Sequence, residues 1–419
     1  MKYQRRIYLI IKKQQEALEA ILNGENVFIF GQGGVGKSYV IKQILDEDTV
    51  LCAPTGIAAI NIGGVTCHSA FGLPMHYPLL HEWGKLPKGF NDVFGVNSNI
   101  KRIVIDEAGM LRAEQLDLID HRLKLARKNK LPFGGIQVVL VGDFFQLEPI
   151  VTKQDAPLLS KDYASPFCFN SRAWNFRTIE LTEVVRQSDA TQVALLSAIR
   201  KGTLDAAQAL ETIQANATPY ENTPDTLHLC CYNNDADTIN SIWYNSLHEV
   251  EKVYKGDGKE NGCGVPEILK LKVGARVIIS ANEAEIGYVN GDRGTIIKLT
   301  KAYIRVKKDN GDVVDVIPFT WEKYKLKSVD GKTKRVLDSV YTQFPIKLGW
   351  AISIHRSQGM TLEKAAIHVG RGCFSNGQLY VALSRLKDLN NISFVTYVDP
   401  SNIRVSKTVL DFTETLETE

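Results

Sequence analysis

Nowhere in the chain is there a run of the roughly 18 to 20 apolar residues that a membrane-spanning helix needs. Cysteine is sparse and unpatterned. There are seven, with no CxxC pair and with Cys230 and Cys231 adjacent. That excludes zinc-ribbon spacing and a disulfide framework, and leaves reduced thiols in a cytosolic setting as the expectation. A strong charge of either sign is missing as well, since 50 Lys and Arg stand against 47 Asp and Glu, a net of +3. This excludes a histone-like coat of charge but allows a local basic groove. Internal repeats and low-complexity tracts are absent. The opening MKYQRRIYLIIKKQQ has too short an apolar run for a signal peptide and reads as part of a first helix. The expected location is therefore the cytoplasm, with no targeting segment.

What is present is a chain of 419 residues, long enough for two large domains with insertions. Short apolar runs alternate with helical stretches in the first half: Val27 to Phe30, Val50 to Ala53, Ile103 to Ile105 and Gln137 to Gly142. Continuous apolar runs of this length suit parallel strands covered on both faces, and ligands gather at the carboxyl ends of such strands. Residues 63–99 break the rhythm with prolines, glycines and aromatics and read as an insertion. A helical stretch is expected from Thr191 to Ile213, and a buried strand from Leu227 to Cys231. From Leu271 to Tyr341 short strands alternate with Asn290-Gly291, Asn310-Gly311 and Asp330-Gly331, the signature of antiparallel hairpins.

The chemistry starts with GQGGVGKS, Gly31 to Ser38, which satisfies G-x-x-x-x-G-K-[ST] between an apolar run and a helix. Gly31, Gly33, Gly34, Val35 and Gly36 let backbone N–H groups turn around phosphate oxygens, ahead of a helix whose positive end faces them. Lys37 supplies a charge to the β/γ-phosphates, and the Ser38 hydroxyl joins a Mg²⁺ shell. ATP and Mg²⁺ are the expected cofactors. In RIVIDEAG, Asp106 would hold the metal and Glu107 would polarise the attacking water. In LVGDFFQLEP, Gln146 has the reach to touch a γ-phosphate. Arg186 in TEVVRQSD and Arg385 in YVALSRLKDL are candidate arginine fingers reaching the γ-phosphate across a domain cleft.

A second set of residues suits a polynucleotide. APTGIAA and VTCHSAFG offer Pro54, Thr55, Gly56, Thr66, His68 and Ser69 to phosphates and Phe71 to a base. WAISIHRSQGMTLEKA repeats the pattern with His355, Ser357 and Thr361. The basic run His121 to Lys130 is either one solvated helix face or a phosphate contact. Two other readings stay open: a P-loop phosphotransferase such as a nucleotide kinase, and an ATP-switched clamp on single-stranded DNA that does not unwind.

Taken in order, these motifs resemble the Pif-type (petite integration frequency) helicases of superfamily one, from Gln14 to about Asp399. The match runs through Gln14, Gly31 to Ser38, Asp106 with Glu107, Gly142 to Pro149, Arg186 with Gln187, Ala351 to Leu362 and Tyr380 to Arg385, together with the LPFGGIQVVLVGDF stretch. The resemblance implies an α/β fold: two RecA-like parallel-sheet domains, a small wedge insertion and a small antiparallel β-barrel insertion. The corresponding boundaries are 1–62 and 100–176 for the first domain and 63–99 for the wedge. The second domain takes 177–270 and 342–400, a Src-homology-three-like barrel 271–341, and a C-terminal tail 401–419. It further implies an adenine-reading role for Gln14, a nucleotide contact for Gly359, and 5′-to-3′ movement on single-stranded DNA. Forks, RNA–DNA hybrids and G-quadruplexes are the implied substrates, for a monomer with no membrane or obligate protein partner. One departure stands out: the family's usual QLPP reads Gln146-Leu147-Glu148-Pro149 here.

Overall fold

The computed structural model describes residues 12–183, 189–258 and 262–417. The chain divides into two units. The first comprises the described residues of Met1–Ser188, Tyr324–Asp338 and Lys407–Glu419, and the second Asp189–Lys323 and Ser339–Ser406.

The first unit is built on six strands: β1 (Val27–Phe30), β2 (Thr49–Ala53), β3 (Val65–Thr66), β4 (Arg102–Ile105), β5 (Gln137–Gly142) and β6 (Arg177–Glu180). Every pairing among them is parallel, in the order β3-β2-β4-β5-β1-β6. Side chains alternate across a strand, and here both faces are covered, which is why the strands read as continuous apolar runs. On one face Val27, Ile29, Val139 and Val141 pack with Ala17, Ile21, Val40 and Ile41 of the helices Lys12–Leu22 and Lys37–Ile44. On the other, Phe28 lies 4.7 Å from Phe144, which packs edge-on against Phe167 and Phe169. Each such side chain contributes about 1.5–3 kcal/mol by burial.

Residues 63–99 carry the short helices Cys67–Phe71, Leu80–Trp83 and Phe90–Phe94. They are fastened by Arg122 of helix Ala113–Arg127, which is buried and donates to the carbonyls of Phe71 (2.7 Å), Gly72 (2.8 Å) and Glu82 (3.2 Å). Arg127 donates to the Ile100 carbonyl, and Lys124 pairs with Asp120 at 2.7 Å. Three of the basic residues in the run His121 to Lys130 are thus structural ties rather than a free charged face.

Two segments join the first unit from far along the chain. The strands Phe319–Val329 and Lys332–Gln343 meet at Asp330-Gly331, where both residues have positive φ (54° and 75°), as a tight hairpin turn requires. At this tip the Thr333 N–H donates to Asn99 Oδ1 and its hydroxyl to the Val93 carbonyl, each at 2.8 Å. The C-terminal helix Lys407–Glu417 brings Phe412 onto Phe169, with centroids 4.2 Å apart and rings 7° from parallel. The sequence reading had put these segments with the barrel and with a tail. A polar hairpin tip and a single partly buried aromatic leave no periodic signal of where they dock.

The second unit holds a four-stranded parallel sheet in the order Ala351–Ser353, His228–Cys230, Ala365–His368, Ile392–Phe394. It also holds a five-stranded antiparallel sheet, Val313–Val316, Ile304–Lys308, Arg293–Leu299, Arg276–Ile279 and Ile346–Leu348. Its core includes Val277, Ile279, Ile296, Val306 and Trp350. The α/β class with parallel-sheet domains and an antiparallel insertion is therefore observed. The helical stretch expected from Thr191 to Ile213 is instead two helices, Ala190–Lys201 and Ala206–Ala215. Gly202 ends the first in a left-handed conformation (φ 61°), and an added Cβ there would lie 2.9 Å from Val405. Among the described residues no helix is long and apolar enough to cross a membrane.

Replacing Arg122 by Ala should destabilise the chain by about 3 kcal/mol, because one buried and two partly buried carbonyls lose a charged donor. The exposed Lys130→Ala should stay within about 0.5 kcal/mol. Chemical unfolding of both variants measures the difference; equal stabilities would show that Arg122 does not fasten the insertion.

Candidate nucleotide site

The strand order places β4, β5 and β1 side by side, so the loops leaving their carboxyl ends converge on one edge of the first unit's sheet. The glycine loop follows β1, Asp106 and Glu107 follow β4, and Asp143 to Gln146 follow β5. Close approach fixes this convergence. A Cβ on Gly142 would lie 3.0 Å from the Ala108 and Gly109 nitrogens, and one on Gly109 would lie 2.9 Å from the Asp143 carbonyl oxygen.

In the glycine loop Gly31, Gly34 and Gly36 have positive φ (152°, 86° and 85°), which L side chains rarely adopt. A Cβ on Gly31 would meet the Leu181 carbonyl at 2.3 Å, whereas Gly33 has open space around it. Gly36 caps helix Lys37–Ile44, and a Cβ there would meet Gln14 Nε2 at 2.4 Å. Gln14 is buried and donates to the Val35 carbonyl at 3.1 Å, so it sits directly behind the loop. Lys37 Nζ donates to the carbonyls of Gly31 (2.6 Å) and Gln32 (2.9 Å), which hold the ammonium across the mouth of the loop. The Ser38 hydroxyl group is on an exposed residue at the first turn of the helix.

Asp106 sits among apolar β4 neighbours, and burial raises its carboxyl pKa above the ordinary value. The Glu107 N–H, donating to Oδ1 at 2.9 Å, and the nearby Lys37 charge oppose that rise. Glu107 is held at φ 53°, ψ 40°, a left-handed conformation costly for a residue with a Cβ and of the kind that concentrates at functional sites. Gln146 is buried; its Nε2 reaches Asp143 Oδ2 at 3.4 Å and its N–H donates to the Asp143 carbonyl at 3.2 Å. Asp143 thus aims the Gln146 amide, a role that the sequence reading did not assign. A buried carboxylate three residues before the Gln, in a tight turn, was the available signal. The arrangement is a phosphate cradle with one cation, Lys37, and three carboxylates: Asp106, the buried Asp143 and the strained Glu107. Among the described residues no group of three or more His, Cys, Asp and Glu side chains could hold a metal. A divalent ion here would therefore depend on phosphate oxygens beside Ser38 and Asp106, the pattern normal for Mg²⁺.

The expected polynucleotide contacts divide. In the first unit Thr55 Oγ1 accepts from the Ala58 N–H (3.2 Å) and Thr66 Oγ1 from the Ser69 N–H (3.1 Å), each capping a short helix; each hydroxyl hydrogen can still donate outward. Pro54 and Gly56 are partly exposed and Ser69 is exposed. His68 Nδ1 is 3.1 Å from the Leu73 carbonyl. Phe71, expected to stack on a base, is fully buried 5.5 Å from Phe94 and belongs to the core, because the helix Cys67–Phe71 turns that ring inward. In the second unit His355 and Thr361 are partly exposed and Gly359 is exposed with φ 81°. Ser357 is fully buried, its hydroxyl donating to the Ile354 carbonyl at 2.8 Å, so the side-chain contact expected of it is not available. Arg385 is buried, and its partners include the Val381 carbonyl (3.0 Å) and Ser384 Oγ (2.9 Å). Arg186 lies outside the described residues.

The parallel sheet and glycine loop define the first unit as a P-loop nucleoside-triphosphatase domain. Comparison narrows the class. The family model described as PIF1-like helicase matches residues 6–208. The ATP-dependent DNA helicase Pif1 of Campylobacter jejuni is 32% identical, over 90% of this chain and 90% of its own length. The mouse ATP-dependent DNA helicase PIF1 is 33% identical over 97% of this chain. The chain spans only 62% of that relative's length. A crystal structure of Pif1 from a Bacteroides species in complex with ADP-AlF4 superposes with a TM-score of 0.86 at 32% identity, covering 98% of this chain and 97% of that one. A Bacteroides Pif1 has also been solved bound to single-stranded DNA (TM-score 0.71, 32% identity, 98% and 97% covered). The chain belongs to the PIF1-like helicase family.

Because its folded pKa is raised, Asp106 favours the fold only below its unfolded value. That contribution is lost as pH rises through the folded value, and at neutral pH the ionised carboxylate costs stability. Asp106→Asn should therefore raise the Tm at pH 7.5, by an amount that shrinks towards pH 4. Thermal melts across pH check this; a lower Tm for the variant at pH 7.5 would mean that the buried charge is net favourable.

Proposed function

We propose that the chain is an ATP-dependent DNA helicase that uses Mg²⁺ and moves 5′ to 3′ along single-stranded DNA. The observation that carries this reading is the convergence of Gln14, the glycine cradle, Lys37 and Asp106 on one sheet edge, in a chain of the PIF1-like family. Gln14 reads the adenine. The amides of Gly31 to Gly36 and the Lys37 ammonium bind the triphosphate, and Ser38 with Asp106 hold the Mg²⁺, which neutralises phosphate charge when bound. Glu107 polarises the attacking water, and Gln146, aimed by Asp143, registers whether the γ-phosphate is there. Arg186 and Arg385 are the proposed charges that sense the γ-phosphate from later motifs, and Gly359 belongs to the same later nucleotide contacts.

The DNA track comprises Pro54, Thr55, Gly56, Thr66, His68 and Ser69 in the first unit and His355 with Thr361 in the second. Forks, RNA–DNA hybrids and G-quadruplexes are the proposed substrates, with 63–99 as the strand-separating wedge and 271–341 as the barrel insertion. The proposed working form is a monomer in the cytoplasm. Loss of the γ-phosphate changes how tightly each unit holds the strand, and only such a difference in affinity can drive directed motion.

The test is hydrolysis and strand separation by the purified chain. Single-stranded DNA should stimulate ATPase activity several-fold, Lys37→Ala should abolish it, and 5′-tailed duplex should open while 3′-tailed duplex does not. Stimulation without opening of either duplex would make the chain a clamp, and ATPase activity indifferent to DNA would overturn the motor.

A further inference from the structure

Three aromatic side chains leave the same edge of the second unit's parallel sheet. Strand His228–Cys230 is followed by Tyr232, and its two neighbours Ala351–Ser353 and Ala365–His368 are followed by His355 and Phe374. The three strands run in register, with Ser353 and His368 both opposite Cys230, so the three rings are delivered to one place. The Phe374 ring lies 5.6 Å from His355, 7° from parallel, and 5.0 Å from Tyr232. The Arg371 guanidinium carbon stands 4.6 Å from the Tyr232 ring centre.

Phe374 is 49% exposed, although it is the middle member of this group. The backbone that presents it is not left to wander. Gln378, almost wholly buried, donates from Nε2 to the Cys231 carbonyl (2.9 Å) and accepts from the Phe374 N–H (3.1 Å), tying the two aromatic positions to one side chain. Just before Phe374, the Cys373 N–H donates to Asn402 Oδ1 (2.8 Å) and its carbonyl accepts from Arg404 (2.9 Å). A large apolar ring held rigidly in water costs hydration free energy, which ligand contact would recover. Burial holds the His355 pKa below the ordinary imidazole value, so at neutral pH it offers a neutral ring rather than a cation for phosphate.

We propose that Phe374, backed by Tyr232 and His355, is a base-stacking contact for single-stranded DNA in the second unit. The proposal rests on the DNA-binding reading above and adds a contact with base faces to a track so far made of phosphate donors. Every base has a π-face, so this contact holds the strand without reading its sequence, and Arg371 at the end of the ring group supplies positive charge beside it.

The test measures equilibrium binding of the full chain to a fluorescent oligothymidine and to a strand of equal length with abasic sites throughout. The two strands share their phosphates and differ in their bases. Phe374→Ala should weaken oligothymidine binding about 10-fold and abasic binding less than about 2-fold, while Phe374→Trp keeps both within about 2-fold of the parent. Unchanged oligothymidine binding by Phe374→Ala, or equal losses on the two strands, overturns the stacking contact and leaves the DNA-binding reading intact. Absence of binding by the parent chain to either strand overturns both. Loss of binding by Phe374→Trp as severe as that by Phe374→Ala also counts against stacking, since a larger ring should serve.

Discussion

The first unit depends on a topological constraint: β4, β5 and β1 must be consecutive neighbours in a parallel sheet. Parallel strands point their carboxyl ends the same way, so the glycine cradle, the acidic pair and the Gln146 turn have no alternative but to meet. The close contacts at Gly109 and Gly142 then set how near they come. Nothing in the cradle itself would create a site if β4 lay elsewhere in the sheet.

Around that edge the fold retains features that work against stability. Asp106 is an acid in apolar surroundings, Glu107 occupies a left-handed backbone conformation, and three loop glycines have positive φ. The hydrophobic layers on both faces of the sheet, with the phenylalanine group around Phe28 and Phe144, supply the excess that carries these costs. Phe144 has a second consequence. It anchors the turn that ends in Gln146 to the ring of Phe28 on β1, the strand that leads into the cradle. Hydrophobic packing and the phosphate-facing loops are thus mechanically one object.

The first-half strands were legible because two-sided burial leaves unbroken apolar runs, and β5 coincides with the run from Gln137 to Gly142. The glycine loop was legible because its residue types answer to backbone geometry. What escaped was set by tertiary contact. Whether Phe71 faces a base or the core depends on which way a five-residue helix turns, and Cys67–Phe71 turns it inward. Arg122 and Arg127 read as solvent-facing charge until three carbonyls and a fourth are seen waiting for them. Gly202 breaks a helix that periodicity alone would continue. Phe374 carries no local signal; its position matters only because the strand before it lies beside the sequence-distant His228–Cys230, whose other neighbour leads to His355.

If hydrolysis at the cradle governs how the chain holds a strand, nucleotide and DNA affinities must be coupled, and the coupling must be reciprocal. The most direct measurement is the affinity for one single-stranded oligonucleotide in the presence of a non-hydrolysable ATP analogue and in the presence of ADP, repeated with nucleotide as the titrant. The account predicts DNA affinities that differ by about 5-fold or more between the two states, with the ratio of nucleotide affinities shifted by the same factor when DNA is bound. Equal DNA affinities in both nucleotide states would contradict it.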